Sequence, residues 1–480
     1  MRNPLGGFPK QIRFIVGNEA CERFSFYGMR SILTIFMVQY LLMREADAKA
    51  IYHLFVSASY LTPLLGGYLA DRFLGKYRTI LWLSIVYCIG HGVLAVWDGS
   101  KMGLYCGLGL IALGAGGIKP CVSAHVGDQF TKDNQELVKK VFDIFYWSIN
   151  FGSFFSTMLI PWILPKFGPA WAFGIPGILM AMATVVFWMG REFYVHVPPN
   201  QKTGATGFMP VFLRAITNAP KRLSGQSFWD GARDRFSAED IDAAKAAAGV
   251  FKLFLTVSIF WALFDQHGSS WVLQAKEMNL HAFGVDWQAS QLSALNPILV
   301  LLLIPAFSLY IYPAVERLGI QVTPLRRMSA GMALTAFSFV AAAMIQVPLD
   351  RGIKISVAWQ FIPYLILTVS EIMVSITGLE FAYSQAPRSM KSTLMSFWFL
   401  TVFAGNLITA YVSEINVFKG ASFFLFFAAL MASVAVIFVW NASRFQVRDY
   451  FEDGAADASG TESAESDEED DDGEPAVEYA

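Results

Sequence analysis

Glu19, Glu22, Arg23 and Arg30 lie within one helix-length stretch whose other residues are largely apolar and aromatic. At 100° per residue these four, together with Phe26 and Tyr27, fall within an arc of roughly 140°. Glu22 and Arg23 follow Glu19 by three and four positions, so their heads can meet on one helix face. A carboxylate held by an arginine can exchange a proton, and the arginine so released can receive an anion. Counting from Arg13, Arg23 lies about 15 Å along the helix, near the middle of a ~30 Å hydrocarbon slab. Insertion scales set the cost of such a charge at roughly 3 kcal/mol, so the cluster requires partners or water. One reading is a self-neutralising ion cluster that only ties helices together. Against it, Arg23, Arg30 and a third apolar-run cation, Lys119, call for acids from elsewhere in the chain.

Two such acids are present. Asp265 lies deep in the run Phe260-Trp261-Ala262-Leu263-Phe264-Asp265-Gln266-His267-Gly268, and Glu371 sits near the centre of another apolar segment. Glu380 follows nine residues later, half a turn out of phase at 100° per residue, so an unbroken helix cannot aim both into one cavity. A break at Gly378 is the expected exception. Cations on one side of a cavity and a carboxylate on the other make a receptor for a zwitterion. Arg23 and Lys119 suit its carboxylate, while Glu371, Asn150 and Asn296 suit its ammonium. Tyr27, Tyr60, Tyr146, Phe264 and Trp398 offer apolar walls with polar tips; ordinary helix packing is an equally open reading of each.

These residues must be positioned by membrane helices. Of 480 residues, 55% are hydrophobic and only 15% charged, with a mean hydropathy of +0.45, against about 25% charged in a soluble domain. The chain is an integral membrane protein, predicted to be all-α. Apolar runs and their breakers give twelve spans: about 14–42, 50–72, 79–97, 102–125, 137–164, 169–192, 248–275, 290–314, 325–347, 356–386, 392–415 and 420–443. Basic residues cluster on one side of this topology, at Arg2, Lys10 and Arg13, at Arg72, Lys76 and Arg78, at Lys132, Lys139 and Lys140, at Arg317, Arg326 and Arg327, and at Arg388 and Lys391. The positive-inside rule makes that side cytoplasmic, with both termini there. Residues 194–247 form a polar linker, with a capped helix expected from Ser237, and divide the chain into bundles at 1–193 and 248–445. Two six-helix bundles are the layout of the major facilitator fold, whose sites lie at the midplane between halves.

From Asp449 onward there are 14 acidic residues and no basic ones, so residues 1–448 hold all 36 Lys and Arg against 24 acids. Residues 446–480 are therefore expected to be a disordered acidic tail. The four cysteines show no metal-ligand spacing. No nucleophile with a base, metal pair or cofactor loop stands out, which argues against an enzyme; no metal, cofactor or nucleic-acid partner is expected.

The run Glu19 to Gly28 resembles the E-x-x-E-R-F-x-Y-Y-G motif of the proton-dependent oligopeptide transporter family, with Phe26 in place of the first Tyr. Gly66-Gly67-Tyr68-Leu69-Ala70-Asp71-Arg72-Phe73-Leu74-Gly75-Lys76 and Phe145-Tyr146-Trp147-Ser148-Ile149-Asn150-Phe151-Gly152-Ser153 agree with two further signatures. Gly116-Gly117-Ile118-Lys119-Pro120, Asn296-Pro297 and Gly378-Leu379-Glu380-Phe381 also match, so the similarity extends from about residue 10 to 445.

The resemblance implies proton-coupled symport of di- and tripeptides. Arg23, Tyr27, Lys119, Asn150, Asn296 and Glu371 match family peptide-pocket positions, with Tyr60, Tyr146, Ser375 and Trp398 lining or shaping the pocket. Arg30 and Asp265 resemble a pair bridging the bundles on the extracellular side. His53 resembles a functionally important histidine, and Glu19 and Glu22 are expected to join the coupling. His91, His125 and His267 are expected to be structural. Small peptides, protons and the bilayer are the expected partners of a functional monomer, driven by a proton gradient in the cell membrane (the inner membrane if bacterial). Alternatives are carriage of another anion, such as nitrate or a conjugated metabolite, and a nutrient-sensing receptor on the same scaffold. The absence of a large hydrophilic insert between spans nine and ten favours a bacterial-type member.

Overall fold

A computed structural model describes residues 8–130, 136–199, 207–219, 227–385 and 390–445. The acidic tail lies outside these residues. The first helices are α1 (Ile12–Gln39), α2 (Glu45–Leu69), α3 (Gly75–Val96), α4 (Lys101–Gly127), α5 (Glu136–Phe167) and α6 (Pro169–Met189). Next come α7 (Phe208–Asn218), α8 (Ala238–Phe264), α9 (Ser270–Glu277), α10 (Leu295–Ala306) and α11 (Tyr312–Arg317). The last are α12 (Pro324–Asp350), α13 (Phe361–Glu371), α14 (Thr377–Ser384), α15 (Lys391–Ile415) and α16 (Ala421–Ser443).

Their ends follow local chemistry. Ser100 caps α4 by accepting from the Met102 amide at 3.2 Å, and Thr323 caps α12, with Pro324 at its first position. The Asp240 amide donates to Ser237 Oγ at 3.1 Å, which starts α8 where the sequence expects a cap. α8 then runs unbroken across residue 247 to Phe264. Between β1 (His281–Ala282) and β2 (Val285–Asp286), Phe283 and Gly284 both take positive φ, a two-residue turn that adds a short hairpin to the otherwise helical chain.

Among the described residues, nine helical stretches are long and apolar enough to cross a membrane. One of them, Glu45–Val96, is 52 residues long and turns at Gly75, whose φ of +73° favours glycine, into α2 and α3. Glu19, Glu22, Arg23 and Arg30 lower the hydropathy of α1, which is not among the nine. Large apolar side chains such as Trp82, Phe337 and Val436 face outward, as a hydrocarbon solvent permits. The chain is a multi-pass membrane protein.

Contacts divide the chain into two units, one of Met1–Thr203, Lys252–Gly378 and Ser396–Ser443, the other of Gly204–Phe251, Leu379–Met395 and Arg444–Ala480. In the first, α1 packs on α5 and α6, α4 on α2 and α3, and α12 on α13 and α16. In the second, the paired face of α7 meets the short turn Phe228–Ala232, and Arg214 bonds Asp234.

Small residues set the closest helix crossings, as is usual where lipid supplies no hydrophobic drive for association. A Cβ on Gly66 of α2 would stand 2.0 Å from the Gly117 carbonyl oxygen of α4, whereas one on Gly67 would meet nothing within 4 Å. Gly66→Ala is therefore expected to lower the unfolding temperature by several degrees, in line with overpacking costs of about 1–3 kcal/mol. Gly67→Ala is expected to leave it unchanged. Heating followed by fluorescence-detected size exclusion measures both, and equal shifts would refute the crossing argument.

Candidate functional site

The polar face of α1 is built by helical spacing alone. Arg23 Nε donates to Glu19 Oε1 at 2.7 Å and lies 3.1 Å from Glu22 Oε2. Its single Nε hydrogen is directed at Glu19, and Glu22, fully buried, has no hydrogen-bond partner among the described residues. Gly28 and Gly152 let α1 and α5 close on each other here: a Cβ at Gly152 would stand 2.9 Å from the Ala20 oxygen, and one at Gly28 would stand 2.9 Å from the Ile160 side chain.

Lys119 reaches this region from α4. Its ammonium lies 4.1 Å from the Tyr60 ring centroid and 4.9 Å from that of Phe26. No carboxylate pairs with it among the described residues. Ring faces attract such a cation by about 0.5–2 kcal/mol, more when it is desolvated. Phe26 therefore lacks the phenol of the family motif while keeping the face that Lys119 uses.

A second network joins the first two helices to later ones. Arg30 bonds Asp265 through Nη2 and donates from Nε to the Tyr52 hydroxyl at 2.6 Å. The other Asp265 oxygen accepts from Asn406 Nδ2 at 2.7 Å, and Asn406 Oδ1 lies 2.8 Å from His53 Nδ1. His53 Nε2 lies 2.8 Å from Ser269 Oγ. The order of donors follows from Asp265: a carboxylate only accepts, so the Asn406 amide nitrogen faces it and its oxygen faces His53, which must carry its proton on Nδ1. Asp265 sits in the tight turn Asp265–Gly268 between α8 and α9. Thr34 of α1 donates to the Gly268 carbonyl at 2.9 Å. A Cβ on Gly268 would fall 1.9 Å from the Tyr52 hydroxyl oxygen, so only glycine lets this turn meet α2.

Beside the network lies a cavity of about 230 Å³. Of the expected residues, Tyr27, Arg30, Tyr60, Asp265, Asn296, Glu371 and Ser375 line it. Asn296 Nδ2 donates to Glu371 Oε2 at 2.6 Å and lies 3.3 Å from Thr368 Oγ1, which aims the carboxylate at the end of α13. One chamber thus holds a guanidinium, two carboxylates and phenols.

Glu19, Glu22, Arg23, His53, Lys119, Tyr146, Asn150 and Trp398 lie outside that lining. Asn150 donates to the Tyr146 carbonyl of its own helix at 2.9 Å. Trp398 packs edge-on against Phe254 and Trp261. Gly378 proves not to break its helix: the irregularity is the wide π turn Ile372–Ile376, and α14 continues through Gly378. That glycine makes room instead, since a Cβ there would lie 2.5 Å from the Trp398 ring. Tyr52 and Asn406 were missing from the expected set, as were the lining residues Ser153, Thr157, Ser293 and His267. An amide in the apolar run Val402-Phe403-Ala404-Gly405-Asn406 was the one available signal for Asn406.

Known proteins resemble the chain in sequence and in fold. A sequence profile described as the POT family matches residues 77–422. Human solute carrier family 15 member 2 is 40% identical over 394 residues, covering 78% of this chain and 54% of its own. Peptide transporter 3 of Caenorhabditis elegans is 37% identical over 368 residues, covering 73% and 52%. The chain thus spans about half the length of the curated relatives it matches. A crystal structure of the POT family transporter PepTSo superposes with a TM-score of 0.86 at 41% identity, covering 92% of this chain and 99% of that one. By the reach of the profile and the identity of these relatives, the chain belongs to the POT family.

Proposed function

We propose that the chain is a secondary transporter that moves di- and tripeptides together with protons by alternating access. The observation that carries this reading is the chamber between Arg30 and Asp265 on one side and Asn296 and Glu371 on the other. Its Glu371 complements the amino end of a peptide and its phenols tolerate varied side chains, while the cations assigned to the carboxylate, Arg23 and Lys119, lie outside its lining. Family membership and relatives named as peptide transporters support the substrate class.

In this reading twelve spans form two six-helix bundles, residues 1–193 and 248–445. They are joined by the linker 194–247, with both termini and the tail 446–480 in the cytoplasm. The protein works as a monomer in the cell membrane, needs no cofactor, and draws on the proton gradient. Arg23 and Lys119 take the substrate carboxylate, while Glu371, Asn296 and Asn150 take its ammonium. Tyr27, Tyr60, Tyr146, Ser375 and Trp398 shape the pocket.

Coupling runs through the buried ions. Protonation of Asp265 removes its attraction for Arg30, and the Asn406–His53 arm then loses its anionic anchor, so the halves can separate. Protonation of Glu19 or Glu22 frees Arg23 for the substrate. Contacts at the opposite end from the basic loops support a form closed to the outside. Lys49 of α2 stands 4.1 Å from the Phe423 ring of α16, and Lys276 lies 3.4 Å from Glu45.

Three outcomes are expected. Purified protein in proteoliposomes takes up a radiolabelled dipeptide down an inward proton gradient, with competition by tripeptides and not by nitrate or free amino acids. Lys119→Ala or Glu22→Gln lowers that uptake by about tenfold or more, the loss expected when a charged partner is removed. Accumulation by the wild type without a gradient would refute coupling. Asp265→Asn should retain counterflow exchange while losing gradient-driven accumulation; equal loss of both would make Asp265 a structural residue.

A further inference from the structure

A second cavity, of about 470 Å³, lies away from the transport chamber, where α3 begins, α4 ends and the chain leaves α6. Lys76, Arg78, His125 and His196 contribute the polar part of its lining, Phe73 and Tyr77 the aromatic part. Its walls are fixed. Gln129 donates to the His125 and Val195 carbonyls at 3.0 and 3.3 Å and accepts from the Val195 amide at 2.9 Å, which ties the end of α4 to the segment after α6. The Tyr77 ring stands edge-on to His196 at 5.0 Å, and His196 Nε2 donates to the Arg191 carbonyl at 3.0 Å.

The electrostatics of this cavity are one-sided. No carboxylate is among its lining residues; Asp128, which follows α4, is bonded to the lining Lys76, whose Nζ holds both of its oxygens at 2.8 and 2.7 Å. An ammonium has three hydrogens, so Lys76 retains one. Arg78 is exposed and has no ion pair among the described residues. The cavity is walled by the first turn of α3, the positive end of a helix dipole, which no side chain caps. His125 is 1% exposed, and its Nε2 has no hydrogen-bond partner among the described residues. A buried polar atom of that kind calls for a partner.

We propose that this cavity binds a phosphate-bearing anion, independently of what the chamber transports. Three donors, Lys76 and Arg78 from α3 and His125 from α4, line one cavity, which suits a tetrahedral oxyanion better than a planar carboxylate with two oxygens. The volume exceeds what a bare phosphate needs and falls within the range of about 300–1,000 Å³ for pockets that hold small organic ligands. Phe73, 62% exposed, stands edge-on to Tyr68 at 5.7 Å and extends the site with apolar surface. On the proposed topology, which puts the start of α3 on the cytoplasmic side, the anion is either the headgroup phosphate of a lipid in that leaflet or a free phosphate compound from the cytosol.

The test uses the full-length protein in nanodiscs. In phosphatidylcholine discs, inorganic phosphate is titrated and followed by ³¹P line broadening. In discs that also contain phosphatidylglycerol, native mass spectrometry counts the anionic lipid retained. Arg78→Gln, an exposed position that does not threaten folding, and His125→Phe should each weaken the ligand that binds by about tenfold. Retention of phosphatidylglycerol without phosphate binding identifies the lipid headgroup, and saturable phosphate binding in neutral discs identifies the soluble anion. Binding of neither, or binding that both variants leave unchanged, would overturn the proposal.

Discussion

Ions buried in a membrane protein must find opposite charges inside the protein, and the Arg30–Asp265 pair is where this chain meets that demand between α1 and the turn after α8. Both side chains are more than nine-tenths buried, so each is costly without the other. Tyr52, Asn406, His53 and Ser269 complete the remaining valences. The turn Asp265–Gly268 carries the acid, Gly268 leaves room for Tyr52, and Thr34 ties the turn to α1. The 230 Å³ cavity opens beside it and takes both ions into its lining.

How much of this was legible beforehand depended on the kind of signal. Charges in apolar runs are conspicuous, so Glu19, Glu22, Arg23, Arg30, Lys119, Asp265 and Glu371 could all be singled out, and turn arithmetic sufficed to put the first four on one face. Tyr52 and Asn406 are uncharged, and in an apolar span a phenol or an amide reads as packing. Only the three-dimensional meeting of α1, α2, α15 and the 265–268 turn gives them a role. Gly378 was misread because glycine in a helix has two meanings, a weak point or a gap for a neighbour. Nothing in Ile372-Met373-Val374-Ser375-Ile376 announces the wide turn that these residues form.

The fold was legible to a similar degree. Runs of apolar residues located long helices, and nine stretches among the described residues are long and apolar enough to cross a membrane. The crossings were less accessible, since they rest on which glycine faces a neighbour: Gly66 and Gly67 are adjacent in sequence, yet one touches the backbone of α4 and the other touches nothing. Facing is a property of the assembled bundle.

Lys119 illustrates what a cation gains from partners that are not ions. Arg23 already has two carboxylates close by, so any anion that approaches it must compete with a neutralised charge. Lys119 rests between the faces of Tyr60 and Phe26, and an arriving carboxylate displaces quadrupoles without separating an ion pair. The half-buried ammonium thus keeps its charge unpaired among the described residues, held by ring faces alone. Holding a cation in this way packs it against ring faces while leaving its charge uncancelled.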